Sequence, residues 1–218
     1  MDDITCIFDL DGTLLDSMHV WDKFAVQYLK GKGIYTNQAL DQLFEAMRME
    51  EAIDYLHTHY LPTLTKETIS REVYELLCDC YRSMRLKPGV KECVTSLHQK
   101  GIRMGVLSAN HVAVCEAALK GHGLLEFFSF IVSCEQLHLS KEDPTCFLQA
   151  CELMKMKKEH TLIIEDALHA IQGAKKAGFY VVAVKERSQN KDEKEIKQCA
   201  DTYIEDMREL EEMICKRY

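Results

Sequence analysis

The chain has 218 residues, 47% of them apolar, enough to bury a sizeable core as one large domain or as a main domain with a smaller one. A formal net charge of −8 with no long Lys/Arg block argues against a general nucleic-acid binder. With three prolines and ten glycines the chain is neither fibrous nor disordered, and no apolar run reaches the ~20 residues that cross a bilayer. Its ten cysteines include no CxxC pair and so show no metal framework. Most lie in or beside apolar segments, where free thiols act as small hydrophobes. No basic, apolar leader precedes the first expected strand, so a reducing cytosol is the expected compartment.

That strand is Ile4-Thr5-Cys6-Ile7-Phe8, a short run of β-branched, apolar and aromatic residues of the kind that lies buried in a parallel sheet. Asp9 and Asp11 follow at its carboxyl end, and Gly12 lets the backbone turn sharply there. Two carboxylates this close repel unless a proton or a cation sits between them. A hard, oxygen-liganded ion such as Mg²⁺ is the simplest occupant.

The chain then changes character. Asp16-Ser17 can cap a helix on which Trp21, Phe24, Ala25, Tyr28 and Leu29 recur at helical spacing, closed by Gly31-Lys32-Gly33. Thr36 or Asn37 can start a second, with Leu40, Leu43, Phe44 and Met47 on one face. Further helices are expected over Met49 to His59 and, after Pro62, over Lys66 to Met84. No strand is expected from Asp16 to Leu86. His57 and His59 diverge on a helix and do not make a zinc site, and Arg48 is expected to be solvated.

From Lys87-Pro88-Gly89 onward, helix and strand alternate. Helices are expected over Val90 to Lys100, His111 to His122, Pro144 to Met154, Leu168 to Ala177, Glu193 to Cys199 and Met207 to Cys215. Strands are expected over Ile102 to Leu107, Phe128 to Cys134, Thr161 to Ile164, Tyr180 to Val184 and Thr202 to Ile204. This rhythm predicts an α/β fold, a Rossmann-like and mostly parallel sheet flanked by helices, which binds ligands outside the carboxyl ends of its strands.

Polar residues stand at those ends. Ser108, in Val106-Leu107-Ser108-Ala109-Asn110, can cap the next helix, donate to a phosphate oxygen, or do both. Glu165-Asp166 closes another strand, where adjacent acids are poor core material and good Mg²⁺ ligands. Lys141 lies among polar neighbours, which on its own suits a solvated surface lysine.

In these stretches the chain resembles the haloacid dehalogenase-like hydrolase superfamily. Asp9-Leu10-Asp11-Gly12-Thr13 meets the signature D-x-D-G-T. Ser108 stands at the second motif. Lys141, Pro144 and Phe147 stand in register with G-K-P-x-P-D-x-F, with Ser140, Glu142 and Thr145 departing from it. Glu165 to Gly178 follows E-D-S-x-x-G-I-x-A-A-x-x-A-G, with Ala167 for Ser and Ala170 for Gly. The four motifs cover nearly the whole chain. They are most similar to the helical-cap subgroup, with its phosphoglycolate-phosphatase-like and β-phosphoglucomutase-like members.

The resemblance implies a core domain of residues 1–16 and 86–218 and a helical cap of 17–85. It implies a phosphatase acting on a small phosphorylated metabolite, with Asp9 as nucleophile and Asp11 as acid and base. Mg²⁺ is then held by the Asp9 carboxylate, the Asp11 carbonyl, Asp166 and Glu165. Ser108, Asn110 and Lys141 hold the phosphate. A sugar-phosphate mutase shares these core residues, but Arg48-Met49-Glu50-Glu51-Ala52 does not reproduce the mutases' R-x-x-S-L. A non-catalytic phosphate binder is the rival from another class. Nucleic acid and membrane are not expected partners, and nothing in the sequence sets the oligomeric state.

Overall fold

The computed structural model describes residues 4–21, 23–37, 39–45 and 47–217, apart from the side chains at 21, 42, 45 and 217. The first strand is β1 (Thr5–Phe8), followed by the helices α1 (Met18–Trp21), α2 (Phe24–Gly31), α3 (Ala39–Glu45), α4 (Met49–His59) and α5 (Lys66–Arg82). Then come α6 (Val90–Gln99), β2 (Arg103–Ser108), α7 (Val112–Gly121), β3 (Phe130–Ser133), α8 (Cys134–Leu137) and α9 (Pro144–Leu153). The chain continues through β4 (Thr161–Glu165), α10 (Leu168–Lys176), β5 (Tyr180–Val184), α11 (Glu193–Cys199), β6 (Thr202–Ile204) and α12 (Met207–Arg217).

All strand pairs are parallel, in the order β3-β2-β1-β4-β5-β6. The chain steps outward from β1 through β2 to β3, then returns to lay β4 on the other side of β1. That reversal is a topological switch point, where a doubly wound sheet opens a crevice at its carboxyl edge. Phe8 is level with Val106 on one side and Ile164 on the other, so Asp9, Ser108 and Glu165 leave the sheet close together.

Helices cover both faces, which is why the strands read as unbroken apolar runs. Cys6, Phe8, Met104, Val106, Leu162 and Ile164 join one apolar cluster, which also holds Leu56, Ile69, Val73 and Leu77 of the inserted helices. Ile7, Leu107 and Ile163 alternate onto the opposite face, against α9 and α10. The inserted block packs on the core mainly through α5 against α7. On α5, Ile69, Val73, Leu77 and Tyr81 recur every fourth residue along one buried stripe.

The expected helical block therefore stands where the sequence puts it, with altered boundaries. The helix read across Trp21 and Tyr28 is two helices, α1 and α2, and the Trp21 side chain lies outside the described residues. Met47 falls beyond α3, in a turn where its N–H donates to the Phe44 carbonyl at 3.0 Å. The strand expected over Phe128 to Cys134 is shorter, because a capping box ends it. The Ser133 hydroxyl accepts from the Glu135 N–H, Gln136 reaches back to the Ser133 N–H, and α8 begins. All ten cysteines are free thiols.

Leu77 of α5 is fully buried in that apolar cluster. Leu77→Ala is expected to cost about 2–5 kcal/mol of unfolding free energy, read as a lower urea midpoint.

Candidate active site

Asp9 takes its position directly from the sheet: its N–H donates to the Ile164 carbonyl at 2.9 Å, holding it level with Glu165. The loop that follows turns at Gly12, whose φ is +83°. A Cβ there would sit 2.5 Å from Asp166 Oδ2, so only glycine lets the first loop and the loop after β4 come this close. The Gly12 N–H donates to the Leu15 carbonyl at 2.9 Å, and the Thr13 hydroxyl donates to Asp166 Oδ1 at 3.1 Å.

Asp9, Glu165 and Asp166 form a buried acidic group with ligand oxygens within 4.8 Å of one another. Lys141 is buried among them. Its Nζ donates to Asp9 Oδ1 and, at 2.8 Å, to Glu165 Oε1. Glu165 Oε2 accepts from the Asp166 N–H at 2.8 Å. Lys141 owes its place to Gly173 of α10: a Cβ at 173 would lie 1.9 Å from the Lys141 carbonyl, so the lysine loop rests directly on that helix. The lysine that its polar neighbours alone would leave on the surface, and that its register with the third motif draws in, is the central cation of the site.

The electrostatics follow from burial. Burial, then the neighbouring Glu165, pushes the Asp9 carboxyl well above the usual carboxylate range, against the opposing pull of Lys141. Burial, Glu165 and Asp9 raise Asp166 in the same way. Burial works against the charge on Lys141, but Asp9 and Glu165 outweigh it and hold the ammonium well above its ordinary range.

These residues fit a hard dication. Three carboxylates against one ammonium leave an excess of negative charge, all donor atoms are oxygen, and Asp9 Oδ2 is buried with no hydrogen-bond partner among the described residues. The Asp11 side chain lies apart from this group. Its Oδ1 accepts from Ser17 at 2.6 Å and from Tyr81 at 2.5 Å, and its Oδ2 accepts from Asn110 Nδ2 at 2.8 Å. Asn110 Nδ2 also donates to Tyr81 at 3.0 Å. Ser108 is fully buried, and its hydroxyl accepts from the Asn110 N–H at 3.0 Å. Arg48 is turned outward, paired with Glu51 at the start of α4.

All seven residues singled out from the sequence therefore gather at the carboxyl edge of β1, β2 and β4. Thr13, Ser17 and Tyr81 were not singled out. Tyr81 carries one signal in sequence: it is the last member of the buried stripe of α5 and the only one with a polar tip.

Fold and site together define an α/β enzyme with an acidic centre. The sequence profile of the haloacid dehalogenase-like hydrolases matches residues 6–184. A protein of Caldanaerobacter subterraneus subsp. tengcongensis, named provisionally as the pyrophosphatase PpaX, is 30% identical over 217 residues, covering 95% of this chain and 93% of that protein. The phosphoglycolate phosphatase of Nitrosospira multiformis is 28% identical over 185 residues, covering 82% of this chain and 81% of its own length. The β-phosphoglucomutase of Clostridium difficile has the same fold, with a TM-score of 0.71 at 19% identity over 98% of this chain and 96% of that one. The chain belongs to the haloacid dehalogenase-like hydrolase family.

The raised carboxyls give a signed prediction. A group held above its unfolded pKa contributes stability that is complete at acid pH and is lost as pH rises through the folded value. In chelator, Asp166→Asn is therefore expected to match wild type at acid pH. It should become the more stable protein as pH rises past the ordinary aspartate value, about 3.9, and through the raised pKa. Urea unfolding of both proteins across pH reads the difference.

Proposed function

We propose that the protein is a Mg²⁺-dependent phosphomonoester hydrolase that acts on a small phosphorylated metabolite through an aspartyl-phosphate on Asp9. The second oxygen of Asp9 carries this reading. It is buried and accepts no hydrogen bond among the described residues, while Lys141 holds the other oxygen of the same carboxylate. A buried oxygen left bare suits a nucleophile or a metal ligand.

In this reading Asp9 attacks phosphorus, and the ester oxygen leaves as Asp11 gives it a proton. Water then attacks the phosphorus of the aspartyl-phosphate while Asp11 takes the proton back. Ser108, Lys141 and the N–H groups opening α7 hold the oxygens that do not react, whereas the amide protons of Asn110, expected to serve there too, go to Asp11 and Tyr81. Asp9, Glu165 and Asp166, with the Asp11 carbonyl, would hold Mg²⁺. When bound, it supplies positive charge against the phosphate and the crowded carboxylates.

Residues 17–85 act as a cap over the core of 1–16 and 86–218, opening to admit substrate and closing to expel water. None of the described helices is long and apolar enough to cross a membrane. Ten free thiols suit a reducing cytosol. The relatives' names make small anionic phosphates the first compounds to screen. A mutase would use the same core residues but needs cap groups that grip a sugar phosphate. Arg48 is turned to solvent, its side chain 80% exposed and paired with Glu51.

A screen of phosphorylated metabolites with Mg²⁺ is expected to find a substrate that releases phosphate. Asp9→Asn should lower turnover on the order of 10³-fold or more with the fold intact by circular dichroism. Chelation should abolish turnover and Mg²⁺ should restore it. Interconversion of β-glucose 1-phosphate and 6-phosphate without phosphate release would favour the mutase instead.

A further inference from the structure

Two thiols outside the acidic group lie against each other. Cys134 opens α8 and Cys146 stands in the first turn of α9, and their buried sulfurs are 3.8 Å apart. Among the described residues no other two thiols are in hydrogen-bond contact. Both belong to the apolar cluster on the α9 and α10 face of the sheet. Cys134 is 7% exposed and Cys146 fully buried, so Cys134 is the sulfur that a small solute meets first.

The chain between the two sulfurs carries Lys141. That loop is tied at each end: the Leu139 N–H donates to the Cys134 carbonyl at 3.2 Å, and the Cys146 N–H to the Asp143 carbonyl at 3.0 Å. In between, the Lys141 carbonyl rests on Gly173 with no room for a Cβ, and the ammonium bonds Asp9 and Glu165. The hydrogen bond from Cys146 lowers the Cys134 thiol below its ordinary range, against burial, and the Lys141 ammonium adds to that pull. The same bond, and then burial, push the Cys146 thiol up. The pair thus divides into an attacking sulfur and a resolving one.

We propose that Cys134 and Cys146 are a redox modification site, at which hydrogen peroxide joins the two sulfurs in a disulfide and so pulls the Lys141 loop from its seat. The Cys134 thiolate attacks one peroxide oxygen and the O–O bond breaks. The other oxygen leaves as hydroxide and takes up the proton that Cys134 gave up, leaving a sulfenic acid. The Cys146 sulfur then attacks the Cys134 sulfur, the S–O bond breaks, and the departing hydroxide takes the Cys146 proton. Two electrons pass from the thiols to the peroxide, giving one disulfide and two waters. A disulfide bond is about 2.0 Å long, so sulfurs now 3.8 Å apart must draw together by nearly half their separation. Close packing leaves them little room to do so by rotation alone, so the short α8 and the loop after it give way. With Lys141 displaced, Asp9 and Glu165 lose the cation between them. The consequence for turnover rests on the proposed hydrolase activity; the disulfide itself does not.

The test treats the reduced full chain with hydrogen peroxide, alkylates the remaining thiols and maps the peptides by mass spectrometry. A peptide pair cross-linked through Cys134 and Cys146 is expected. With it, kcat/KM for 4-nitrophenyl phosphate in Mg²⁺ should fall roughly 10–100-fold, and dithiothreitol should reverse the loss. Cys134→Ala should keep its turnover through the same treatment. Cys146→Ala should stall at a Cys134 sulfenic acid that dimedone labels, and Cys146→Ser, which retains more of the buried volume, should give the same label. No cross-link between these two cysteines, or dimedone label on exposed thiols alone, would overturn the site. A cross-link that leaves turnover unchanged would overturn its action on Lys141. If the reduced protein releases no phosphate from any ester, the hydrolase reading fails, and the peptide map still decides the modification site.

Discussion

The contact on which the site depends is the ammonium of Lys141, buried between Asp9 and Glu165. An isolated carboxylate in such a place would not stay ionised, and three together even less so. One lysine offsets part of that charge, and the remainder suits a hard dication. Removing the lysine would strand its partners without water, which is why breaking such pairs costs far more than a surface ion pair is worth.

The sheet makes this arrangement possible. Asp9 and Glu165 end neighbouring strands although they are far apart in sequence, because β4 returns to the free side of β1. Both strands lie inside the sheet and are paired on each side, so the side chains just beyond them inherit fixed positions. The inserted helices share one apolar cluster with the near face of the sheet. Their exit helix therefore delivers Tyr81 to Asp11 with the rigidity of core packing rather than the looseness of a surface loop.

Much of this was legible in the sequence, for physical reasons. Strands covered on both faces must be apolar throughout, so acids and a serine at their ends stand out. Asp9, Asp11, Ser108, Glu165 and Asp166 could be read that way. Lys141 could not be read from its neighbours, since a charged residue in a polar loop looks the same whether it is solvated or buried. Only its register with a known motif drew it in. Tyr81 was hidden for the opposite reason: it continues the stripe Ile69, Val73, Leu77, and periodicity does not tell a core aromatic from one whose hydroxyl meets a carboxylate. Strand and helix ends shifted where side chains compete for the backbone, as Ser133 and Gln136 do in ending β3 and opening α8.

Gly173 ties two loops together. α10 begins immediately after Glu165 and Asp166, and at Gly173 it receives the carbonyl of Lys141 with no side chain between. The acids and the cation that offsets part of their charge thus ride on one rod. If the helix tilts or slides as the protein breathes, both signs of charge travel as a unit, and the spacing between them survives the motion.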